Sequence, residues 1–353
     1  MLRAIHQVNC WAGLQAGFDL QVTLARRLCD PVVSSENLTE NGVKVLHTNP
    51  IVQTWLWRFL HPRRDQLRLL NAATAVADQP VNEKQSLLAW INVVVDIAAQ
   101  FQANPQAWPD PLKDLPQWSN FKTLMLGFYD KLDSSGVPFD ALGNATSTNK
   151  TTYSQFVSDY KALHGDRICV FCEGPFIKPQ VDHWVDKASY PILSISPANL
   201  LPICSDCNEA PAKGSLDTFS PGESEAFSDW FHPHHRTGVG YVDMEYHDRT
   251  LDIKAVTTDD DYQDHVENLD SILILSERWT KEYKAQYVEL QKELQQYVDH
   301  KIIGANENDI QSRIAEKMIG LVDGSPHEKV RRLLYGCVQE PARLSSWAVE
   351  LQP

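Results

Sequence analysis

Cys169-Val-Phe-Cys172 and Cys204-Ser-Asp-Cys207-Asn208 enclose Gln180-Val-Asp182-His183-Trp184 and Pro197-Ala-Asn199-Leu200-Leu201-Pro202. Each short loop between paired cysteines aims two thiols at one point, and two such knuckles supply the ligands of a tetrahedral zinc. Four thiolates (Cys169, Cys172, Cys204 and Cys207) saturate that ion and leave no position for water, so the expected zinc is structural. On the cysteines alone, the expectation stops at a zinc ribbon that binds nucleic acid or protein without chemistry.

The rest of the chain bounds this reading. With 353 residues there is room for two or three domains, and 43% hydrophobic with 22% charged residues excludes wholesale disorder. The N-terminus lacks a continuous apolar run of the kind that opens a signal peptide. The most apolar stretch, residues 86–101, is interrupted by Asn92, Asp96 and Gln100 and is too short to span a bilayer, so no membrane association is expected. Cys10, Cys29 and Cys337 are scattered singles, a usage that suits a reducing cytoplasm better than a disulfide framework. The net charge of −14 opposes nonspecific binding to nucleic acid; residues 160–236 carry −4 of it, whereas residues 1–72 carry +3. In that first segment Arg58, Arg63, Arg64 and Arg68 cluster beside Trp55, Trp57, His47 and His61. The mix could hold phosphates with some stacking, although a solvated helix face over core tryptophans is the plainer reading.

Pattern and punctuation predict an α+β chain, mostly helical, in three units: an α-helical region over residues 1–150, a module over 160–236 that contains the knuckles, and a hairpin with helices over 237–353. Helices are expected from Pro50, over 86–102, over 121–132 and over 153–164. A proline-punctuated loop carrying Pro105, Pro109, Pro111 and Pro116 separates the second from the third, and residues 133–149 read as a linker or long loop. Residues 241–246 and 250–256 alternate as a hairpin. Trp279, Tyr283, Tyr287, Leu290, Leu294 and Tyr297 form the core stripe of a long helix stopping near Gly304. Ser325-Pro326-His327-Glu328 reads as a capping box opening a last helix.

Between the knuckles lie the groups that hydrolysis of a phosphodiester needs: His183 as a base that titrates near neutrality, and Asp182 with the Asn208 side-chain oxygen as hard ligands for Mg²⁺ or Mn²⁺. The span from Cys169 to Gly214 resembles the zinc-containing form of the HNH endonucleases, the ββα-metal or His-Me finger family. That resemblance implies a zinc-stapled ββα-metal module with His183 as general base, Asp182 and Asn208 on one divalent cation, and Asn199 holding the loop that orients His183. It implies cleavage of DNA, with RNA as the alternative substrate. A narrower likeness, Asp182-His-Trp184 followed by Lys187 and Tyr190-Pro191, with a later His232-Pro233, resembles HNH proteins of bacterial antiphage defence that act beside a protein partner. A partner or homo-oligomer would also answer the low positive charge. Asp186 and His234 depart from that pattern, and Lys213 falls two residues later than the common spacing. The run His232-Pro-His234-His235 could add a metal or phosphate contact, but more often such histidines bond locally.

Overall fold

Side-chain caps open two of the N-terminal helices, Thr39 accepting from Gly42 N and Asn49 from Ile51 N. The computed structural model describes residues 3–61, 67–164, 168–214, 227–247 and 250–352. Along it come α1 (Trp11–Leu28), α2 (Glu40–Lys44), α3 (Pro50–Leu60), α4 (Arg68–Ala77), α5 (Val81–Val94) and α6 (Trp118–Ser134). Asn49 Oδ1 accepts from Ile51 N and Pro50 fills the first turn of α3, so this helix starts where expected. The helix expected over 86–102 is displaced: α5 starts at Val81, directly after an extended Pro80, and only a 3-10 turn, Ala98–Phe101, covers the far end. The proline-punctuated stretch before α6 is irregular, as its composition requires. Arg63 and Arg64 of the basic cluster lie outside the described residues, as does most of the loop after the second knuckle.

The segment after α6 is a loop but not a linker. Val137 pairs with Thr151 and Phe139 with Ala145 in isolated bridges, and Val137, Phe139 and Thr151 are buried. Asp140 folds the tip by accepting from the backbone N–H groups of Leu142 and Asn144. The loop lies so close to α1 that a Cβ on Gly13 would stand 2.2 Å from both Asp140 O and Thr151 Oγ1. Helix α7 (Tyr153–His164) then leads toward the first knuckle, matching its expected range.

The region between the knuckles forms an antiparallel pair, β1 (Gln180–His183) with β2 (Leu200–Ile203), which places Asp182 opposite Leu201 and His183 opposite Leu200. A single turn, α8 (Ser205–Asn208), follows from the second knuckle. Asp182 and His183 are both buried, Tyr129 of α6 lying against His183 and Lys213 against Asp182, so neither side of the strand faces solvent there.

The C-terminal hairpin forms as expected, with β3 (Asp243–His247) antiparallel to β4 (Asp252–Val256). Its turn residues Asp248 and Arg249 lie outside the described residues. After α9 (Gln263–Leu273) comes α10 (Leu275–Asp299), whose Ser276 and Thr280 hydroxyls accept from Ala255 N and Ile253 N and seat β4 on the helix. Trp279, Tyr283, Leu290 and Leu294 are buried, so the stripe is a core face, but the helix stops at Asp299 rather than at Gly304. Helices α11 (Glu307–Ile319), α12 (Glu328–Val338) and α13 (Pro341–Glu350) complete the chain.

The expected capping box does not form. His327 takes a left-handed conformation (φ 56°) and caps α12 without a side-chain bond, because its N–H is drawn to Glu173 O beside the first knuckle. Ser325 Oγ accepts from Arg331 instead, and α13 follows, so α12 is not the last helix. One apolar cluster runs from Ile5 to Leu351 across all three segments. Among the described residues no helix is long and apolar enough to cross a membrane.

Gly13→Ala tests the close approach of loop and helix. Alanine would raise the helix propensity of α1 by about 1 kcal/mol, but overpacking against a backbone carbonyl costs roughly 1–3 kcal/mol. The expected net outcome is destabilisation, read as a lower urea midpoint with an unchanged slope; a raised midpoint would mean the loop gives way freely.

Candidate metal centre and the adjoining polar site

The four cysteines converge. Cys169 Sγ stands 3.9 Å from Cys207 Sγ and Cys172 Sγ 3.8 Å from Cys204 Sγ, and all four sulfurs lie within 4.8 Å of one another. A tetrahedral ion with Zn–S bonds of about 2.3 Å sets sulfur pairs about 3.8 Å apart. Cys169, Cys172, Cys204 and Cys207 are thus positioned to bind a metal ion such as zinc. Backbone N–H groups turn toward the sulfurs, Gly174 N at 3.3 Å from Cys172 Sγ and Cys204 N at 3.4 Å from Cys169 Sγ. Helix α10 adds the Arg278 guanidinium, 3.1 Å from Cys207 Sγ, which offsets the negative charge that four thiolates carry around a divalent ion. Trp279 Nε1 on the same helix reaches Cys172 O at 3.5 Å.

Beside the metal centre, Asp182 does not present an open carboxylate. Lys213 Nζ sits 3.0 Å from its Oδ1 and 2.9 Å from its Oδ2, and also donates to His183 O at 2.8 Å. Both partners are almost wholly buried, with side-chain exposures of 3% for Lys213 and 7% for Asp182. Burial pushes the Asp182 carboxyl above its ordinary value, and the Lys213 ammonium opposes that push. Asn208 Nδ2 donates to Gln180 Oε1, and Gln180 Nε2 to Glu209 Oε1 at 2.9 Å. As arranged, this donor set does not fit Mg²⁺ or Mn²⁺. A buried ammonium lies within 3.0 Å of both oxygens of the one carboxylate expected to hold the ion, and the Asn208 amide is tied through its nitrogen to Gln180.

His183 is held in one tautomer. Its Nε2 lies 2.9 Å from Ser194 O, which can only accept, and its Nδ1 lies 3.4 Å from the Lys187 ammonium, which can only donate. The proton is therefore on Nε2 and the lone pair on Nδ1. Tyr129 of α6 meets the imidazole edge-on at 5.1 Å, and Lys187 Nζ lies 4.6 Å over the Tyr129 ring. Burial, and then the Lys187 charge, push the His183 imidazole down to about 3. Burial also lowers Lys187 and raises the Tyr129 phenol to about 12. Asn199 pins the segment after β1, its Oδ1 accepting from Val185 N at 2.7 Å and its Nδ2 donating to Val185 O and Leu193 O. Ser194, which supplies the carbonyl under His183, is tied by its hydroxyl to α1 and α6 through Gln21 Nε2 and Met125 O.

The structure brings Asp182 and His183 together with Asn199 behind them and the four cysteines alongside, but it turns Asn208 toward Gln180. Sequence reasoning missed Tyr129, Ser194 and Arg278, none of which carries a local signal, and undervalued Lys187, whose spacing of four from His183 was visible. The histidine run bonds partly within itself, His234 N donating to His232 Nδ1, and partly to the N-terminal segment, His234 Nδ1 lying 3.2 Å from Ile5 O. Among the described residues the cysteines are the one group of three or more His, Cys, Asp or Glu side chains placed to hold a metal. Comparison with known proteins finds no matching family model, no matching curated protein and no matching solved structure.

Two outcomes are expected. Purified protein carries one zinc per chain, measured by mass spectrometry of the metal, and Cys204→Ser lowers both zinc content and thermal midpoint; a protein equally stable without metal would contradict the assignment. The buried histidines also make stability depend on pH. Their folded values lie below the ordinary 6.5, His183 at about 3 and His234 at about 4, so their contribution is complete above 6.5 and is lost as pH falls toward those values. By linkage each costs about 2 kcal/mol at pH 5. Replacing His234 by Gln should shrink the loss between pH 7.5 and pH 5 by about that amount, and an unchanged loss would show that this ring protonates in place.

Proposed function

We propose that the chain is a phosphodiester hydrolase, an HNH-type endonuclease that cleaves DNA, with His183 as the general base. The observation that carries this reading is the imidazole itself. Its Nε2–H is fixed to a backbone carbonyl and its Nδ1 lone pair is aimed at a half-buried lysine. A general base needs a free lone pair in a set direction, and a scissile phosphate needs a cation beside it. Lys187 is the cation a phosphate would meet at Nδ1. Binding a phosphate there places negative charge beside the ring, cancels the lysine's effect and moves the imidazole back toward the range where it can take a proton from water. Asn199 and the metal-stapled knuckles keep this geometry rigid, and Lys213 neutralises Asp182 behind it. RNA remains the alternative substrate.

One observation favours a second reading, a metal-stapled binding module without catalysis. His183 is only 4% exposed and Lys213 covers Asp182, so substrate could not reach Nδ1 unless Lys187 and Tyr129 moved.

Nicking of supercoiled plasmid by the zinc-loaded protein, with Mg²⁺, Mn²⁺ or neither, decides between the two. His183→Ala is expected to lower the rate about 100-fold or more and Lys187→Ala about tenfold, with both variants still folded by circular dichroism at the assay temperature. A His183→Ala enzyme as fast as wild type would remove the mechanism. No cleavage of plasmid or total RNA by wild type under any of these conditions would leave the binding module.

A further inference from the structure

One side of α3 from Pro50 to Phe59, the last turn of α6 and the loop over residues 135–150 line a cleft of about 500 Å³. Lys131 and Tyr129 sit on α6 two positions apart, which on a helix turns their side chains about 200° from one another. Tyr129 meets His183, so the cleft opens on the other flank of α6 and is separate from the polar site.

Among the described residues three cations line it, Arg58, Lys131 and Lys150, and no carboxylate does. None of the three forms a salt bridge among the described residues, so no carboxylate there neutralises them. Arg58 and Lys131 each lie in the last turn of a helix, where a cation complements the helix dipole. That accounts for them singly, but not for Lys150 arriving from the loop, nor for all three facing one concavity. The remaining walls are of two kinds. Trp55, half-buried and stacked on Phe59 at 5.3 Å, supplies a flat apolar wall, and Thr146 and Ser147 supply hydroxyls.

We infer that this cleft binds a nucleotide, its phosphate held by Arg58, Lys131 and Lys150 and its base laid against Trp55. A purely apolar ligand would strand three cations, and inorganic phosphate would leave the tryptophan wall unused. A nucleotide answers both walls, the hydroxyls suit its sugar, and the volume lies within the range of small-ligand sites. The same chemistry is offered by a free mononucleotide and by the phosphorylated end of a single strand. The inference does not depend on the hydrolase reading.

Calorimetric titration of the full zinc-loaded chain tests it, with adenosine and thymidine 5′-monophosphates, the two nucleosides, inorganic phosphate and a 5′-phosphorylated single-stranded oligonucleotide. One site per chain is expected for a mononucleotide, weakened at least tenfold in Lys131→Gln/Lys150→Gln. Trp55→Leu should cost about tenfold for the nucleotide and leave phosphate unchanged. His183→Ala should bind like wild type whether or not it cleaves, so failure of the hydrolase reading and failure of this one are told apart. Tighter binding of the oligonucleotide identifies a strand end, and equal or tighter binding of the mononucleotide a free ligand; either supports the site. Absence of nucleotide binding at millimolar concentration, indifference to the lysine substitutions, or phosphate binding as tightly as the nucleotide would each overturn it.

Discussion

Four thiols brought within 4.8 Å of one another impose the constraint on which the centre of this structure rests. Unscreened, four buried sulfurs make a poor core, since each thiolate repels the next and each thiol offers only a weak hydrogen bond. A bound divalent ion turns that repulsion into a cross-link between a loop at residues 169–172 and a turn at 204–207. The cross-link closes the ends of the β1–β2 pair, which has only four residues in each strand and would be marginal alone. Arg278 and Trp279 then join the centre to α10, and His327 N bonds to Glu173 O from the start of α12. The metal centre therefore organises the C-terminal helices as well as the hairpin it staples.

A second constraint follows from the first. Every side chain from Val181 to Val185 is buried, Asp182 and His183 included, with Tyr129 of α6 against His183 and Lys213 against Asp182. A buried carboxylate must be neutralised, protonated or paired, because leaving it charged and alone costs several kcal/mol. Lys213 supplies the pairing and itself donates to His183 O, while Asp182 Oδ2 stands in the ion pair without a hydrogen bond of its own. The imidazole faces the same demand and meets it by staying neutral, with one nitrogen on a carbonyl. Charge neutrality inside a dry hairpin is thus enough to explain Lys213, whatever chemistry the site performs.

What was legible in the sequence was local. The knuckles announce themselves by spacing, the start of α3 by Asn49-Pro50, α7 by periodicity and the β3–β4 pair by alternation. What was not legible depends on residues far apart in the chain. Lys213 sits two positions off the common spacing; only the fold shows its ammonium returning to Asp182. Tyr129 lies 54 positions before His183, and no pattern couples α6 to β1 until both are packed. The 133–149 segment has a linker's composition, yet Val137 and Phe139 are buried, with Val137 against the bare backbone of Gly17 and Asp140 and Thr151 against Gly13 of the same helix. The apparent capping box fails for the same reason: a tertiary bond to Glu173 O outweighs a local cap worth about 1 kcal/mol.

The charge of the chain also reads differently once folded. A net −14 argues against a polyanion partner only if the charges are spread evenly, and they are not. Many cations are consumed in pairs, such as Arg68 with Asp130, Lys284 with Asp252 and Lys317 with Glu293, and these contribute little to any outward field. Among the described residues three cations without a carboxylate partner, Arg58, Lys131 and Lys150, line one cleft between α3 and α6. Within about a Debye length, 8–10 Å, it is that local excess and not the distant total that a phosphate would feel. An acidic protein can therefore hold a phosphorylated ligand, provided the contact is concave, short-ranged and lined as this cleft is.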